Sequence, residues 1–131
     1  MNVFVIHSGK DRAEVEKNLS HIKQHCHSFN PLLLGNGGVF WKIDAKSKIR
    51  KAQMVVFFVG ESSHTSKNID WEIFAAIKLQ KPIYTIKLNE EFKLNAVLET
   101  LDSFSGQKAF YSKSSNINSI TELINILKGV E

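Results

Sequence analysis

Cysteine and proline are both scarce in this sequence. Cys26 is the only cysteine among 131 residues, so the chain cannot form an internal disulfide or a cysteine-based zinc site. This usage fits a reducing compartment, and we expect a cytoplasmic protein in which Cys26 is a small helix-packing residue. Two prolines, seven glycines, 43% hydrophobic and 23% charged residues are typical of a compact globular chain. We therefore expect residues 1–131 to form a single domain.

Long apolar runs and a strong charge bias are also missing. The first apolar run, residues 3–6, is too short for a signal-peptide core or a membrane span, so we expect neither export nor a membrane partner. Lys and Arg exceed Asp and Glu by 17 to 13, and much of the excess lies in residues 42–51. Attraction of a phosphate and a solvated helix face both explain this excess. We expect no nucleic-acid partner, because such binding favours a broader basic patch with interleaved aromatics.

Several sequence motifs of catalytic and cofactor sites are absent. The chain has no GxGxxG, GxxxxGK[ST], GxSxG, HExxH or CxxC sequence, which removes the motif-based cases for a dinucleotide fold, a P-loop, a hydrolase elbow and a zinc site. His21 and His25 have the i, i+4 spacing of metal ligands. Without a third ligand, a solvated helix face explains them better, and we expect no metal site.

Five short apolar runs alternate with stretches of helical periodicity. The run at residues 54–59 is apolar at every position, which indicates a strand buried on both faces, as in a parallel sheet covered by helices. We predict strands at residues 2–7, 29–34, 54–59, 83–86 and 109–111, and helices at residues 11–26, 45–53, 69–80, 92–101 and 117–127. Right-handed crossovers then give an α/β fold with a doubly wound, five-stranded parallel sheet.

Glu72 is the carboxylate whose predicted position is unusual. Ligands of doubly wound sheets bind outside the carboxyl ends of the strands, here the loops at residues 7–11, 35–44 and 60–68. Glu72 lies near the start of the helix that follows the central strand, about 100° around the helix from the core residue Ile73. A favourable interaction with the helix dipole, of roughly 0.3–1 kcal/mol, is the simpler explanation. The functional explanation is that Glu72 acts on a ligand in the predicted cleft.

The segment around Glu72 resembles a TIR domain. Ser66, Asn68 and Glu72 stand where TIR domains that cleave NAD+ carry a serine, usually a tryptophan, and the catalytic glutamate. Residues 3–8, followed by Lys10 and Asp11, are similar to the opening strand and loop of that family. The short chain looks most like the free-standing TIR-like proteins of bacterial antiphage systems of the Thoeris kind. Asn68 departs from the usual tryptophan, while a tryptophan, Trp71, directly precedes the glutamate.

The resemblance implies a flavodoxin-like fold and a specific enzymatic activity. Glu72 would stabilise positive charge on the ribosyl centre while nicotinamide leaves, and NAD+ would be a substrate, so that no cofactor is implied. The product would be a linear or cyclic ADP-ribose signal read by a separate effector protein, and self-association would complete the site. The other residues implied in substrate binding are His7 and Ser8 at the ribose or adenine side, Gly37 and Gly38 at the pyrophosphate, Trp41 against a base, and Ser66 and Asn68.

Two other functions fit the same residues. A non-catalytic TIR module that assembles through its surfaces would account for Asn68 at the usual tryptophan position. A nucleoside deoxyribosyltransferase-like enzyme also uses a glutamate in a related fold, although its cleft is expected to be more acidic than this lysine-rich region. Both alternatives remain open at this stage. A receiver domain is excluded, because the first strand is not followed by paired acidic residues.

Overall fold

A computed structural model describes residues 1–35, 38–99, 109–112 and 117–130 of the chain. The strands are β1 (Asn2–Ile6), β2 (Asn30–Leu32), β3 (Met54–Val59), β4 (Ile83–Lys87) and β5 (Ala109–Ser112). The helices are α1 (Arg12–His25), α2 (Trp41–Lys51), α3 (Lys67–Lys78), α4 (Ala96–Glu99) and α5 (Ile117–Val130). Short 3-10 turns at Gly9–Asp11 and Ser63–Thr65 follow β1 and β3. No helix in the described ranges is long and apolar enough to cross a membrane.

The strands pair in parallel in the order β2-β1-β3-β4-β5. This order places β3 between β1 and β4, with Val5 opposite Val56 on one side and Thr85 opposite Phe57 on the other. The predicted α/β fold with a parallel sheet flanked by helices is confirmed. The chain changes winding direction between β1 and β3, so the carboxyl ends of these two strands form the switch point where such folds bind ligands.

The six residues of β3 divide between two hydrophobic layers. Val55, Phe57 and Val59 pack with residues of α2, α3 and α4 on one face of the sheet. The alternate residues, Met54, Val56 and Phe58, pack with α1 and α5 on the other face. All six side chains are buried, as the uninterrupted apolar run predicts. Because successive side chains of a strand point to opposite faces of the sheet, β3 contributes residues to both hydrophobic layers.

The starts of α2 and α4 differ from the prediction. Helix α2 begins at Trp41, four residues before the predicted start, because the Trp41 ring packs against the core and against Trp71 at a centroid distance of 5.2 Å. Helix α4 begins at Ala96, whereas the prediction began at residue 92. The reason is Asn95, which is fully buried and donates its amide group to Ser63 O and Asp70 Oδ1, at 3.1 and 2.6 Å.

The end of α3 also differs from the prediction, which included Gln80. Gln80 has a φ of 57°, in the left-handed region that favours glycine. Its N–H donates to Ile77 O, and the N–H of Lys81 donates to Ala76 O, both at 3.0 Å. These two bonds form a Schellman motif with glutamine at the position that glycine usually occupies. The helix stops there because the chain must turn into β4.

Replacing Gln80 by glycine should stabilise the protein. Glycine adopts the left-handed conformation without the steric cost that a Cβ imposes, so we expect the Gln80→Gly variant to gain about 1 kcal/mol in free energy of unfolding. Urea unfolding followed by circular dichroism measures this change. Lys78→Gly is the matched control, since Lys78 is exposed at the last helical position and glycine there should lower stability. Equal losses in both variants would contradict this account of the turn.

Candidate active site

A cavity of about 850 Å³ opens at the carboxyl end of β1, beside the starts of α2 and α3. Its volume is within the range of about 300–1,000 Å³ that is usual for small-molecule sites. The loop after β1, the loop after β2 and the first turns of α2 and α3 form its walls. The residues around it that were predicted from the sequence are His7, Ser8, Gly38, Trp41, Ser66, Asn68 and Glu72. The remaining predicted residue, Gly37, lies outside the described residues.

Glu72 is buried where the cavity meets the core. It is the sixth residue of α3, between core residues Ile69 and Ile73, and only 7% of its surface is exposed. Burial raises the pKa of its carboxyl group from 4.5 to about 8. No cation or hydrogen-bond donor among the described residues compensates for this loss of water. Near neutral pH the isolated protein therefore holds a largely protonated carboxyl group beside the cavity.

The helix-dipole explanation of Glu72 does not fit its position. Ser66 is the N-cap of α3, and its hydroxyl accepts a hydrogen bond of 3.2 Å from the N–H of Ile69. The acidic residue of the first turn is Asp70, and Glu72 lies beyond it. Because the dipole effect decays within the first turn and is smaller than the desolvation of a buried carboxylate, burial dominates the energetics of Glu72.

His7 is half-buried at the end of β1. Its Nδ1 lies 2.8 Å from the backbone oxygen of Ser8. A carbonyl oxygen only accepts hydrogen bonds, so Nδ1 carries the proton and Nε2 of the neutral ring carries the lone pair. The Ser8 hydroxyl accepts a hydrogen bond of 3.4 Å from the N–H of Lys10. One nitrogen of His7 and the hydroxyl of Ser8 are therefore hydrogen-bonded within this loop.

Asp11 is the N-cap residue of α1, but its side chain makes no cap hydrogen bond. Its carboxylate packs against the backbone of Gly60 so closely that a Cβ at position 60 would collide with it. Burial raises the pKa of Asp11, while His7 and Lys10 lower it and Glu61 raises it. Asp11 thus connects the loops after β1 and β3.

Trp41, with Trp71 packed against its ring, forms one wall of the site. Trp41 lines the cavity, and its ring meets the ring of Trp71 edge to face, at an interplanar angle of 72°. The ammonium of Lys42 lies 5.7 Å from both ring centroids. Such aromatic faces attract cations and stack with bases. Trp71 packs against the core from the position before Glu72, so it supports Trp41 rather than replacing the residue at position 68.

Asn68 and Gly38 are exposed at the rim of the cavity. An added Cβ at Gly38 would meet no atom within 4 Å. The surrounding protein therefore leaves room for a side chain at position 38, and the implied contact of Gly38 with a pyrophosphate stays a prediction.

Sequence reasoning missed two charged residues that line the cavity, Arg12 and Asp44. The guanidinium of Arg12 donates to Glu16 Oε1 at 2.7 Å and to Leu34 O at 3.1 Å, which holds it at the mouth of the cavity. Asp44 forms an ion pair of 2.7 Å with Lys48. A basic residue directly after the loop of the first strand was the signal available for Arg12.

Comparison with known families supports the resemblance stated from the sequence. Residues 40–93 match a family model described as Thoeris protein ThsB, TIR-like domain. The matched segment contains α2, β3, α3 and β4, and therefore Trp41, Ser66, Asn68 and Glu72. The predicted resemblance to a Thoeris-type TIR-like protein is confirmed over this segment, which excludes His7 and Ser8. Among curated proteins, no sequence matches this chain significantly.

Three solved structures share the fold. A CMP N-glycosidase, BcmB, from Clostridium botulinum has 13% identity, a TM-score of 0.63 and full coverage of both chains. A diflavin flavoprotein A3 from Nostoc sp. has 9% identity and a TM-score of 0.55, covering 97% of this chain and 86% of its own. The flavoenzyme FerB, an NAD(P)H:(acceptor) oxidoreductase from Paracoccus denitrificans, has 13% identity and a TM-score of 0.51, covering 98% and 92%. At these identities the likeness describes the fold.

The burial of Glu72 should make stability depend on pH. Its pKa is higher in the folded state, about 8, than the ordinary value of 4.5, so folding retains a proton between these values. The free energy of unfolding should therefore fall as pH rises from about 4.5 to about 8, by up to about 5 kcal/mol from this group. Glu72→Gln removes the ionisation, and we expect the variant to exceed the wild type in stability above pH 8 but not at pH 5.

Urea unfolding of both proteins from pH 5 to pH 9 measures this difference. Glu99→Gln is a suitable control, since Glu99 is an exposed glutamate on α4 and its replacement should leave the pH dependence unchanged. Parallel curves for the wild type and Glu72→Gln would show that the carboxyl group is not desolvated.

Proposed function

We propose that this protein cleaves the N-glycosidic bond between nicotinamide and ribose in NAD+. The observation that carries the proposal is the buried carboxyl group of Glu72 beside a nucleotide-sized cavity, within the segment that matches a Thoeris TIR-like domain. An uncompensated buried carboxyl group is energetically unfavourable, and such groups concentrate at functional sites. Glu72 is the candidate catalytic residue.

Glu72 would act on the charge that develops at the ribose. The bond between C1′ and the nicotinamide nitrogen breaks, both electrons leave with the neutral base, and C1′ gains oxocarbenium character. A carboxylate in a site of low polarity stabilises that positive charge more strongly than it would in water. NAD+ itself carries a positive nicotinamide ring, which favours the ionised form of a neighbouring carboxyl group. Substrate binding would therefore convert the protonated Glu72 of the isolated protein into the active carboxylate.

Other residues around the cavity would bind the remaining parts of the dinucleotide. Arg12 presents a fixed guanidinium for the pyrophosphate, and Trp41 presents an aromatic face for a base. His7 and Ser8 would contact a ribose, and Gly38 would let a phosphate approach the backbone. Ser66 caps α3 and so holds the start of the helix that carries Glu72. Asn68 would contact the nicotinamide side from the rim.

The product would serve as a signal in antiphage immunity. Attack of water on C1′ gives ADP-ribose, and attack by a nucleophile of the same molecule gives a cyclic form. A separate effector protein would then bind the product, in keeping with the Thoeris-type match.

A nucleotide N-glycosidase acting on a monophosphate is the second candidate. The CMP N-glycosidase from Clostridium botulinum shares the fold over its whole length, and its reaction breaks the same kind of bond. A single guanidinium, that of Arg12, would be sufficient for one phosphate. The protonated state of Glu72 would then matter directly, because a neutral pyrimidine leaves more easily after protonation. The nucleoside deoxyribosyltransferase-like alternative belongs to the same class of chemistry.

Glu72→Gln should strongly lower turnover without unfolding the protein. The purified chain is incubated with NAD+ and, separately, with CMP, and the released base and sugar products are identified by chromatography and mass spectrometry. We expect nicotinamide release by the wild type and a decrease on the order of a hundredfold or more in the variant, because the charge that stabilises the transition state is lost. Binding of NAD+, measured by calorimetry, should largely survive.

Asp70→Asn is the matched control for this test. It removes a carboxylate two residues away on the same helix, at a side chain that does not line the cavity, and asparagine can still accept from Asn95. Its rate should stay within a few-fold of the wild type. Nicotinamide release by folded Glu72→Gln at the wild-type rate would favour the interaction-module alternative. Release of cytosine alone would favour the second candidate.

We also propose that activity depends on self-association through a surface at the start of α2. Val39, Phe40 and Ile43 are 92%, 72% and 68% exposed, and the first two line the mouth of the cavity. Large apolar side chains clustered at a surface are typical of protein contacts. A second copy seated on this surface would cover the cavity and exclude water from it.

Ile43→Glu tests assembly without altering a residue of the cavity wall. A charge in an apolar contact should keep the protein monomeric and lower the specific activity by about tenfold at high protein concentration. Light scattering and concentration-dependent turnover measure the two effects. Lys46→Glu introduces the same side chain at another exposed position of α2 and should have neither effect. Full specific activity of dilute, monomeric wild type would exclude a requirement for assembly.

A further inference from the structure

The hydrogen bond of His7 fixes which ring nitrogen is available for chemistry. Nδ1 is committed to the backbone oxygen of Ser8 at 2.8 Å, and it must be the donor in that bond. Nε2 of the neutral ring is therefore a lone-pair acceptor. No side chain or backbone donor in the described part of the chain hydrogen-bonds to it.

His7 also interacts electrostatically with Asp11, four residues along the chain. The charge of His7 lowers the pKa of Asp11, against the larger effect of burial, which raises it. Asp11 is held in place by its close contact with the backbone of Gly60. A histidine with one nitrogen bonded to a backbone oxygen and the other nitrogen available at a cavity has the arrangement of a general base.

Glu72 and His7 reach the cavity from different elements of the fold. Glu72 lies on α3, and His7 directly follows β1, while both line the same cavity. Cleavage by water makes two separate demands, which are stabilisation of positive charge at C1′ and removal of a proton from the attacking water. Glu72 meets the first demand in the function proposed above.

We infer that His7 is the general base of the hydrolytic step, accepting through Nε2 the proton of the water that attacks C1′. This inference rests on the proposed function. The oxygen of water forms a bond to C1′ as the bond to nicotinamide breaks with both electrons going to the base. One proton of the water passes to Nε2 and then to solvent. The products are ADP-ribose, nicotinamide and one proton, so atoms and charge balance.

Base exchange separates His7 from Glu72. Isotope-labelled nicotinamide attacks C1′ through its ring nitrogen, which has no proton to lose, so exchange into NAD+ needs Glu72 but no general base. His7→Asn keeps an N–H donor near the Ser8 oxygen and lacks a base. We expect its ratio of hydrolysis to exchange to fall at least about tenfold, since general bases contribute roughly 10²–10⁴-fold. Any loss of NAD+ binding lowers both rates alike and cancels in the ratio.

Two further variants complete the experiment. His21→Asn, at an exposed histidine on α1, should leave the ratio unchanged. His7→Gly should lose hydrolysis relative to exchange and regain it when free imidazole is added. An unchanged ratio in His7→Asn, whether both rates fall equally or neither rate falls, would overturn the role of His7 as the general base. It would leave the proposed function in place. Absence of both reactions in the wild type would overturn the proposed function and this inference together.

Discussion

Burial of β3 on both faces is the constraint from which the rest of the structure follows. Six consecutive apolar side chains must leave water, and alternate side chains of a strand point in opposite directions. Helices must therefore cover both faces of the sheet, with α2, α3 and α4 on one and α1 and α5 on the other. The parallel crossovers that achieve this change direction between β1 and β3. The cavity opens at this edge of the sheet, beyond the carboxyl end of β1 and beside the starts of α2 and α3.

The same packing holds Glu72 in an unfavourable environment. Ile69, Ile73 and Ala76 anchor α3 in the core, and the Ser66 cap fixes where the helix begins. The bond between Asn95 and Asp70 ties its first turn to the segment before α4. With the helix fixed in this way, the side chain at position 72 is largely shielded from water, and burial raises its pKa. The stability of the core thus offsets the free-energy cost of desolvating the Glu72 carboxyl group, which the proposed function uses in catalysis.

Helix ends and side-chain partners were harder to predict than the strands. Apolar runs identify strands locally, whereas α2 begins early because Trp41 contacts Trp71, thirty residues along the chain. Asp11 has the sequence position of a helix cap, yet its carboxylate turns to Gly60 on another loop. Arg12 was not predicted as a site residue, because its local sequence gives no sign of the hydrogen bond to Leu34 O. That bond holds the guanidinium at the cavity.

The amino-acid sequence by itself determined the alternation of strands and helices, the double burial of β3 and the placement of Glu72 near a helix start at the carboxyl edge of the sheet. These properties depend on the spacing of apolar residues within short segments, which can be read from the local sequence. Tertiary structure alone decided that Glu72 has no compensating charge among the described residues, that Nε2 is the available nitrogen of His7 and that Arg12 joins the site. Protonation and hydrogen bonding depend on water exclusion and on partners distant in the chain, which exist only after the layers have packed.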